Sequence, residues 1–156
     1  MQLTQASEYA VRTMLHLASL PSGTTTNVAT IAAEWEIPQT FLRKIVSSLS
    51  RSGLVMTQRG VGGGIQISGD AEMITLLEVI ESVEGPISLN QCLMGEKICP
   101  RDGWCPVHVV WMEAQEKLRN HLAARTLSSL AAEATTNKRA YNDLIGTKDL
   151  SSTATD

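Results

Sequence analysis

The chain has 156 residues, of which 43% are hydrophobic but only 4% aromatic, and its net charge is −3. That length suits one domain with appendages, and no run approaches the roughly 18 apolar residues of a membrane span. The first residues lack the basic and apolar segments of a secretory signal, so a cytoplasmic protein is expected, and the net acidic balance alone argues against non-specific binding of nucleic acid.

Leu3, Ala6, Ala10, Met14, Leu17 and Ala18 recur at spacings of three and four, which predicts a helix over residues 3–20. Glu8, Arg12 and His16 recur every four residues on the opposite stripe, the pattern of a solvated face with a Glu8–Arg12 pair. Pro21, Ser22 and Gly23 end the helix. Asn27 is placed to cap a short helix over 28–35, with Val28, Ile31 and Ala32 facing inward. Glu36-Ile37-Pro38 breaks it. A second helix over 39–51 turns Phe41, Leu42, Ile45, Val46 and Leu49 to one side. The other side carries Gln39, Thr40, Arg43, Lys44, Ser47, Ser48 and Arg51, without an acid. A short helix, a tight turn and a helix with a cationic, small-residue face have the layout of a helix-turn-helix whose second helix reads DNA.

Gly53 stops that helix. Residues 54–58 and 65–68 are β-prone and flank Arg59-Gly60-Val61-Gly62-Gly63-Gly64, which predicts two strands joined as a wing. Arg59, Gly60, Gly62 and Gly63 are candidate DNA contacts there. Glycines let the backbone approach phosphates, and an arginine fits the minor groove. A nucleotide-binding loop fits poorly, since no G-x-x-x-x-G-K-[ST] occurs. From Pro38 to Gly69 there are four basic residues and no acid; subtracting them from the net −3 leaves −7 for the rest. A basic segment on an acidic body is the footprint of a local DNA contact.

Thr75-Leu76-Leu77-Glu78 matches a capping box and starts a helix that Gly85-Pro86 ends. Residues 92–108 follow and hold all three cysteines, in the order Cys92, Cys99, Cys105, His108 with spacing C-x6-C-x5-C-x2-H. Gly95, Pro100, Asp102 and Gly103 between them are loop residues, so a folded-back loop that gathers the thiols is expected. Three cysteines leave one thiol unpaired in any intramolecular disulfide scheme, and a reducing cytosol favours metal. Three thiolates and an imidazole read as an iron–sulfur or metal site. Zinc is the competing occupant, although the tight C-x2–4-C pairs it usually shows are missing. His108 is the nearest candidate for a fourth ligand, its alternative role being a helix-surface or interface histidine.

Pro106 suits the first turn of a long helix reaching about residue 125. Val107, Val110 or Trp111, Ala114, Leu118 and Leu122 form its apolar stripe, the pattern of a seam with a second copy; packing on the chain's own core is the alternative. Thr126 is placed to cap a short last helix through residue 130. From 135 onward the chain is polar and expected to be disordered. The fold class is mainly α with a small β wing. A winged helix-turn-helix domain occupies 1–70, the cysteine loop and dimerisation helix occupy 71–134, and a tail occupies 135–156. No nucleophile elbow or HExxH occurs, so no enzyme is expected.

Ser7-Glu8-Tyr9-Ala10, Ile37-Pro38, Phe41-Leu42, Gly53-Leu54-Val55, the glycine-rich wing and the three-cysteine loop together resemble the winged-helix iron–sulfur regulators typified by IscR, NsrR and RirA. The resemblance covers the chain to about residue 134. It implies a homodimeric transcription regulator on a pseudo-palindromic DNA operator. It implies a [2Fe–2S] or [4Fe–4S] cluster on Cys92, Cys99 and Cys105 that senses iron or cluster supply, redox state or nitric oxide. His108 matches a three-cysteine, one-histidine arrangement. Glu8 matches the acidic residue that reaches the cluster from the partner subunit in another. Two features depart from the family pattern: Ile65 stands where an aromatic usually follows the glycines, and the first cysteine gap is x6, where IscR and NsrR members typically have x5 and RirA-like members more. Other functions weighed against this are a DNA-binding protein with structural zinc and an iron–sulfur electron or cluster carrier. In a carrier the helix-turn-helix and wing would be superfluous.

Overall fold

The computed structural model describes residues 3–58, 60, 63–95 and 99–152. Its elements run α1 (Gln5–Ser19), α2 (Val28–Glu34), α3 (Gln39–Arg51), β1 (Val55–Gln58), β2 (Gly64–Ile67), α4 (Leu76–Glu84), a single 3₁₀ turn (Gln91–Leu93), α5 (Pro106–Ala123) and α6 (Leu127–Ser152). This is a mainly helical fold with one small antiparallel sheet, as the sequence predicts.

Local chemistry sets most boundaries. The Asn27 side chain accepts the Thr30 N–H at 2.9 Å and caps α2. Thr75 and Glu78 form both halves of the capping box that opens α4. Thr4 makes no side-chain cap on α1. Instead Glu84, at the far end of α4, accepts from the Thr4 N–H at 2.8 Å, the Thr4 hydroxyl at 2.6 Å and the Ser7 hydroxyl at 2.8 Å. One carboxylate therefore ties the end of α4 to the start of α1 and lies where the α1 dipole favours negative charge.

The core sits between α1, α3 and α4. Ala10, Met14 and Leu17 from α1 meet Leu42, Ile45, Val46 and Leu49 from α3 and Val79 from α4, with Ile31, Val55, Ile65 and Leu127 closing the cluster. Tyr9 and Phe41 add an edge-to-face pair, with ring centroids 5.6 Å apart, at the rim. In the sheet Val55 pairs with Ile67 and Gln58 with Gly64. Thr26 adds a bridge to Ile65, with hydrogen bonds of 3.0 and 2.7 Å. A second bridge joins Thr75 to Thr126, so the starts of α4 and α6 are pinned together.

Two expectations fail. His16 does not share a solvated stripe with Glu8 and Arg12. Those two do pair, at 3.8 Å, but His16 is only 6% exposed. Its Nδ1 lies 3.1 Å from a Glu34 oxygen and 3.3 Å from the Trp35 indole nitrogen. Burial of the α1 face by the end of α2 overrides the helical spacing. One nitrogen cannot donate to the carboxylate and accept from the indole at once, so the two contacts exclude one another. The second failure is the tail. Where composition predicts disorder from 135 onward, α6 runs past residue 130 to Ser152. Ala131, Ala132 and Ala134 are strong helix formers. The Thr135 and Thr136 hydroxyls donate back to the Ala131 and Ala132 carbonyls rather than breaking the helix. Residues beyond Ser152 lie outside those described.

Candidate nucleic-acid interface and cysteine loop

α3 buries Leu42, Ile45, Val46 and Leu49 and turns Gln39, Thr40, Arg43, Lys44, Ser47 and Arg51 to solvent. The turn before it is tight: Glu36 adopts a φ of 53°, unusual for a residue with a Cβ, and Ile37 then enters the core. Arg43, Lys44, Ser47, Ser48 and Arg51 line one continuous depression along the helix. Arg51 donates to the Ser48 hydroxyl at 3.0 Å.

Arg43 also lines a second cleft, of about 430 Å3, between α2, α3 and the wing. Gly60 and Gly63 contribute to it, with the Gly63 N–H bonded to the Gly60 carbonyl at 3.0 Å. α3 and the wing thus share one concave surface. Arg59 and Gly62, the other wing candidates, lie outside the described residues. Asn27, Ala29, Thr57 and Gln58 line the cleft too, and helical or strand periodicity alone does not single them out. Gly64 sits at the base of the wing, where an added Cβ would stand 2.5 Å from the Thr26 carbonyl oxygen.

Cys92 lies in the 3₁₀ turn and Cys105 immediately precedes α5. With Cys99 they are free, half-buried thiols. Hydrogen bonds from the Asp102 and Cys105 N–H groups to the Cys99 and Arg101 carbonyls shape the loop between them. The expected gathering of the thiols is not seen: among the described residues no three Cys, His, Asp or Glu side chains converge as a metal site. Backbone hydrogen bonds shape this loop without drawing the three sulfurs together. The donor set nonetheless fits a soft metal centre: three free thiols, and a His108 whose buried Nδ1 has no hydrogen-bond partner among the described residues. Glu8 is exposed and engaged with Arg12.

The loop is fastened to its surroundings by groups that sequence spacing does not reveal. Glu81 of α4 accepts the Ile87 N–H at 2.9 Å and pairs with Arg119 of α5. Gln115 of α5 accepts the Leu89 N–H at 3.0 Å. The segment leading into the cysteines is thereby stapled to both helices. α5 itself buries no residue in the single chain. Val107, Val109, Val110, Trp111 and Met112 are exposed, and Trp104 at the end of the loop is 72% exposed. No helix among the described residues is long and apolar enough to cross a membrane.

Comparison with known proteins matches residues 3–133 to the Rrf2 family, described as iron-dependent transcriptional regulators. Among solved structures, CymR, the global cysteine regulator of B. subtilis, is 26% identical; the match covers 85% of this chain and 98% of that one, with a TM-score of 0.70. Staphylococcus aureus CymR in its oxidized form is 24% identical over 84% of this chain and 96% of that one, with a TM-score of 0.66. T. potens IscR is 19% identical over 86% of this chain and 88% of that one, with a TM-score of 0.69, a likeness of fold. The chain belongs to the Rrf2 family of transcriptional regulators, which bind DNA, commonly dimerise and are not enzymes.

Proposed function

We propose that this regulator binds a pseudo-palindromic operator as a homodimer and that an iron–sulfur cluster on Cys92, Cys99 and Cys105 sets its DNA affinity. The observation that carries the reading is the position of the cysteine loop. It lies between α4, which packs on the DNA-binding core, and α5, whose Val107, Val110 and Trp111 stand exposed in the single chain while Ala114, Leu118 and Leu122 are half-buried. Exposed apolar surface of this kind marks an interface, and a two-fold seam along α5 would set the spacing of two recognition helices. DNA contact would fall to Gln39, Thr40, Arg43, Lys44, Ser47 and Arg51 on α3 and to Arg59, Gly60, Gly62 and Gly63 on the wing.

Three cysteines leave one coordination position for another donor. Among the described residues the buried Nδ1 of His108 has no hydrogen-bond partner, and it favours His108 because the tautomer with its proton on Nε2 leaves the Nδ1 lone pair free for a metal. Glu8 of the partner subunit is the alternative, at the cost of its contact with Arg12. A cluster supplies a redox- and ligand-sensitive centre that is lost when iron is scarce or oxidants attack. The residues of this chain do the rest. Glu81, Gln115 and Arg119 connect the shape of the loop to the angle between α4 and α5, a two-state element of the kind a ligand biases.

The test is anaerobic purification followed by iron, sulfide and zinc analysis, with operator binding of cluster-loaded and cluster-free protein at matched salt. A brown protein with a difference of about tenfold or more in affinity, near 1–3 kcal/mol of coupling, supports the reading. Equal affinities make the cluster structural. A colourless protein with one zinc per chain replaces it with a structural zinc site.

A further inference from the structure

A cleft of about 540 Å3 opens where α6 packs beside α1 and the end of α2. None of its lining residues belongs to α3, the wing or the cysteine loop. The volume falls in the range of small-molecule sites. Leu15, Trp35 and Ala134 give it apolar walls, and Glu34, Lys138 and Arg139 give it charge.

The charges are not balanced. One Glu34 oxygen lies 3.9 Å from the Lys138 ammonium, and the other lies 3.1 Å from the His16 Nδ1, which either donates to it or accepts from the Trp35 indole. Arg139 forms no ion pair with a described residue. Two cations facing one occupied carboxylate leave a net positive charge beside an indole. Behind Glu34 and Trp35, His16 is buried with its Nε2 unpartnered, so this corner of the fold holds polar capacity that nothing described uses.

We propose that this cleft binds a small organic monocarboxylate, with its anionic head on Arg139 and Lys138 and its apolar body against Trp35, Leu15 and Ala134. Arg139 offers a forked donor matched to a carboxylate. Glu34 opposes a second negative charge, and the apolar walls oppose a wholly polar ion such as phosphate. The occupant would bridge α6 to the end of α2, the first helix of the helix-turn-helix.

The experiment uses the full-length ¹⁵N-labelled protein and follows the indole N–H signal of Trp35, assigned by its loss in Trp35→Phe. The probes are benzoate and hexanoate, with benzamide as the uncharged match. A saturable shift with at least one carboxylate, and a weaker one with benzamide, is the expected result. Arg139→Gln should weaken the carboxylate about tenfold or more, and Arg139→Lys should restore part of the loss. Lys138→Gln gives a second, independent reading of the same charge. No saturable response to either carboxylate overturns the site, as does equal binding of benzamide and benzoate or unchanged affinity in both Arg139→Gln and Lys138→Gln. The readout is direct, so its failure is distinct from any failure of the cluster or of DNA binding.

Discussion

Glu81 and Arg119 stand 38 residues apart in sequence and meet as an ion pair between α4 and α5, and the same Glu81 carboxylate accepts the Ile87 N–H. Glu81 is 23% exposed, so loss of its cation leaves a partly desolvated charge that solvent only partly recovers. Arg119→Met should therefore lower stability by about 1–2 kcal/mol in urea titration. It should also shrink the affinity difference between cluster-loaded and cluster-free protein while leaving the cluster's absorption in place. Glu81→Gln keeps an acceptor for Ile87 and should cost less. An unchanged affinity ratio in Arg119→Met would remove the staple from the transmission path.

Arg43 lines both the α3 depression and the cleft under the wing. Arg43→Ala should weaken operator binding without changing the oligomeric state. If Arg43 neutralises a phosphate, the slope of log K against log salt should flatten by about 0.9. If it reads a guanine edge, the loss should be roughly 1–3 kcal/mol, confined to one base position. Wild-type affinity on every operator variant would move the DNA surface elsewhere.

Gly64 is needed for closeness rather than for a special φ. Its Cα passes so near Thr26 that a Cβ would meet a backbone oxygen, which cannot swing aside as a side chain would. Gly64→Ala should cost about 1–3 kcal/mol by calorimetry and weaken DNA binding by parting the wing from Thr26. Gly60→Ala has open space around the new Cβ but a φ of 100°. Its strain should be felt at the wing tip and leave the Thr26 bridge intact.

What was legible in the sequence was local. The α3 boundaries, the Asn27 cap and the Thr75–Glu78 box follow from residues within one or two helical turns, and the structure has each of them. What escaped depends on distant partners. His16 leaves the polar stripe because Trp35 and Glu34 close over it, and no periodicity within α1 encodes that. The Glu81–Arg119 staple joins two helices across the cysteine loop and has no spacing signature. For α6, polarity is a poor guide, because the helix propensity of Ala131, Ala132 and Ala134 acts locally and the Thr135 and Thr136 hydroxyls turn back onto the helix instead of breaking it. The convergence of the three thiols was an inference from spacing, and the described loop does not display it.

Glu84 makes stability depend on acid. Partial burial raises its carboxyl pKa, but the Thr4 hydroxyl, the Thr4 N–H and the Ser7 hydroxyl lower it more, so the net value lies below the ordinary range. A depressed folded-state pKa means that the unfolded chain takes up the proton first. The contribution is therefore complete above the ordinary carboxylate pKa and fades as pH falls through the lower folded value. Glu84→Gln should lower Tm at pH 7 and reduce the difference between wild type and variant toward pH 3. A pH-independent difference would mean that the contact acts through shape alone.

His108 and Glu8 make opposite predictions for the fourth ligand. His108 sits in the first turn of α5, close in sequence to Cys105, with a buried Nδ1 that bonds to no described residue. Glu8 is exposed, 3.8 Å from Arg12, and would have to serve from the partner subunit. Cys92→Ala, Cys99→Ala and Cys105→Ala should each abolish the cluster. His108→Ala should keep three thiolates able to hold iron while shifting the absorption spectrum, because the ligand field at one iron changes. It should also relieve an unpaired buried nitrogen, so stability of the cluster-free protein should hold or rise slightly. Glu8→Ala should leave the spectrum as it was. Reversal of the two spectra would assign the position to Glu8, and the dimer would then be part of the site itself. That outcome has an independent check: in mixed dimers of Glu8→Ala and Cys92→Ala chains, one of the two sites would combine an intact cysteine loop with a wild-type Glu8 from the partner and regain the native spectrum.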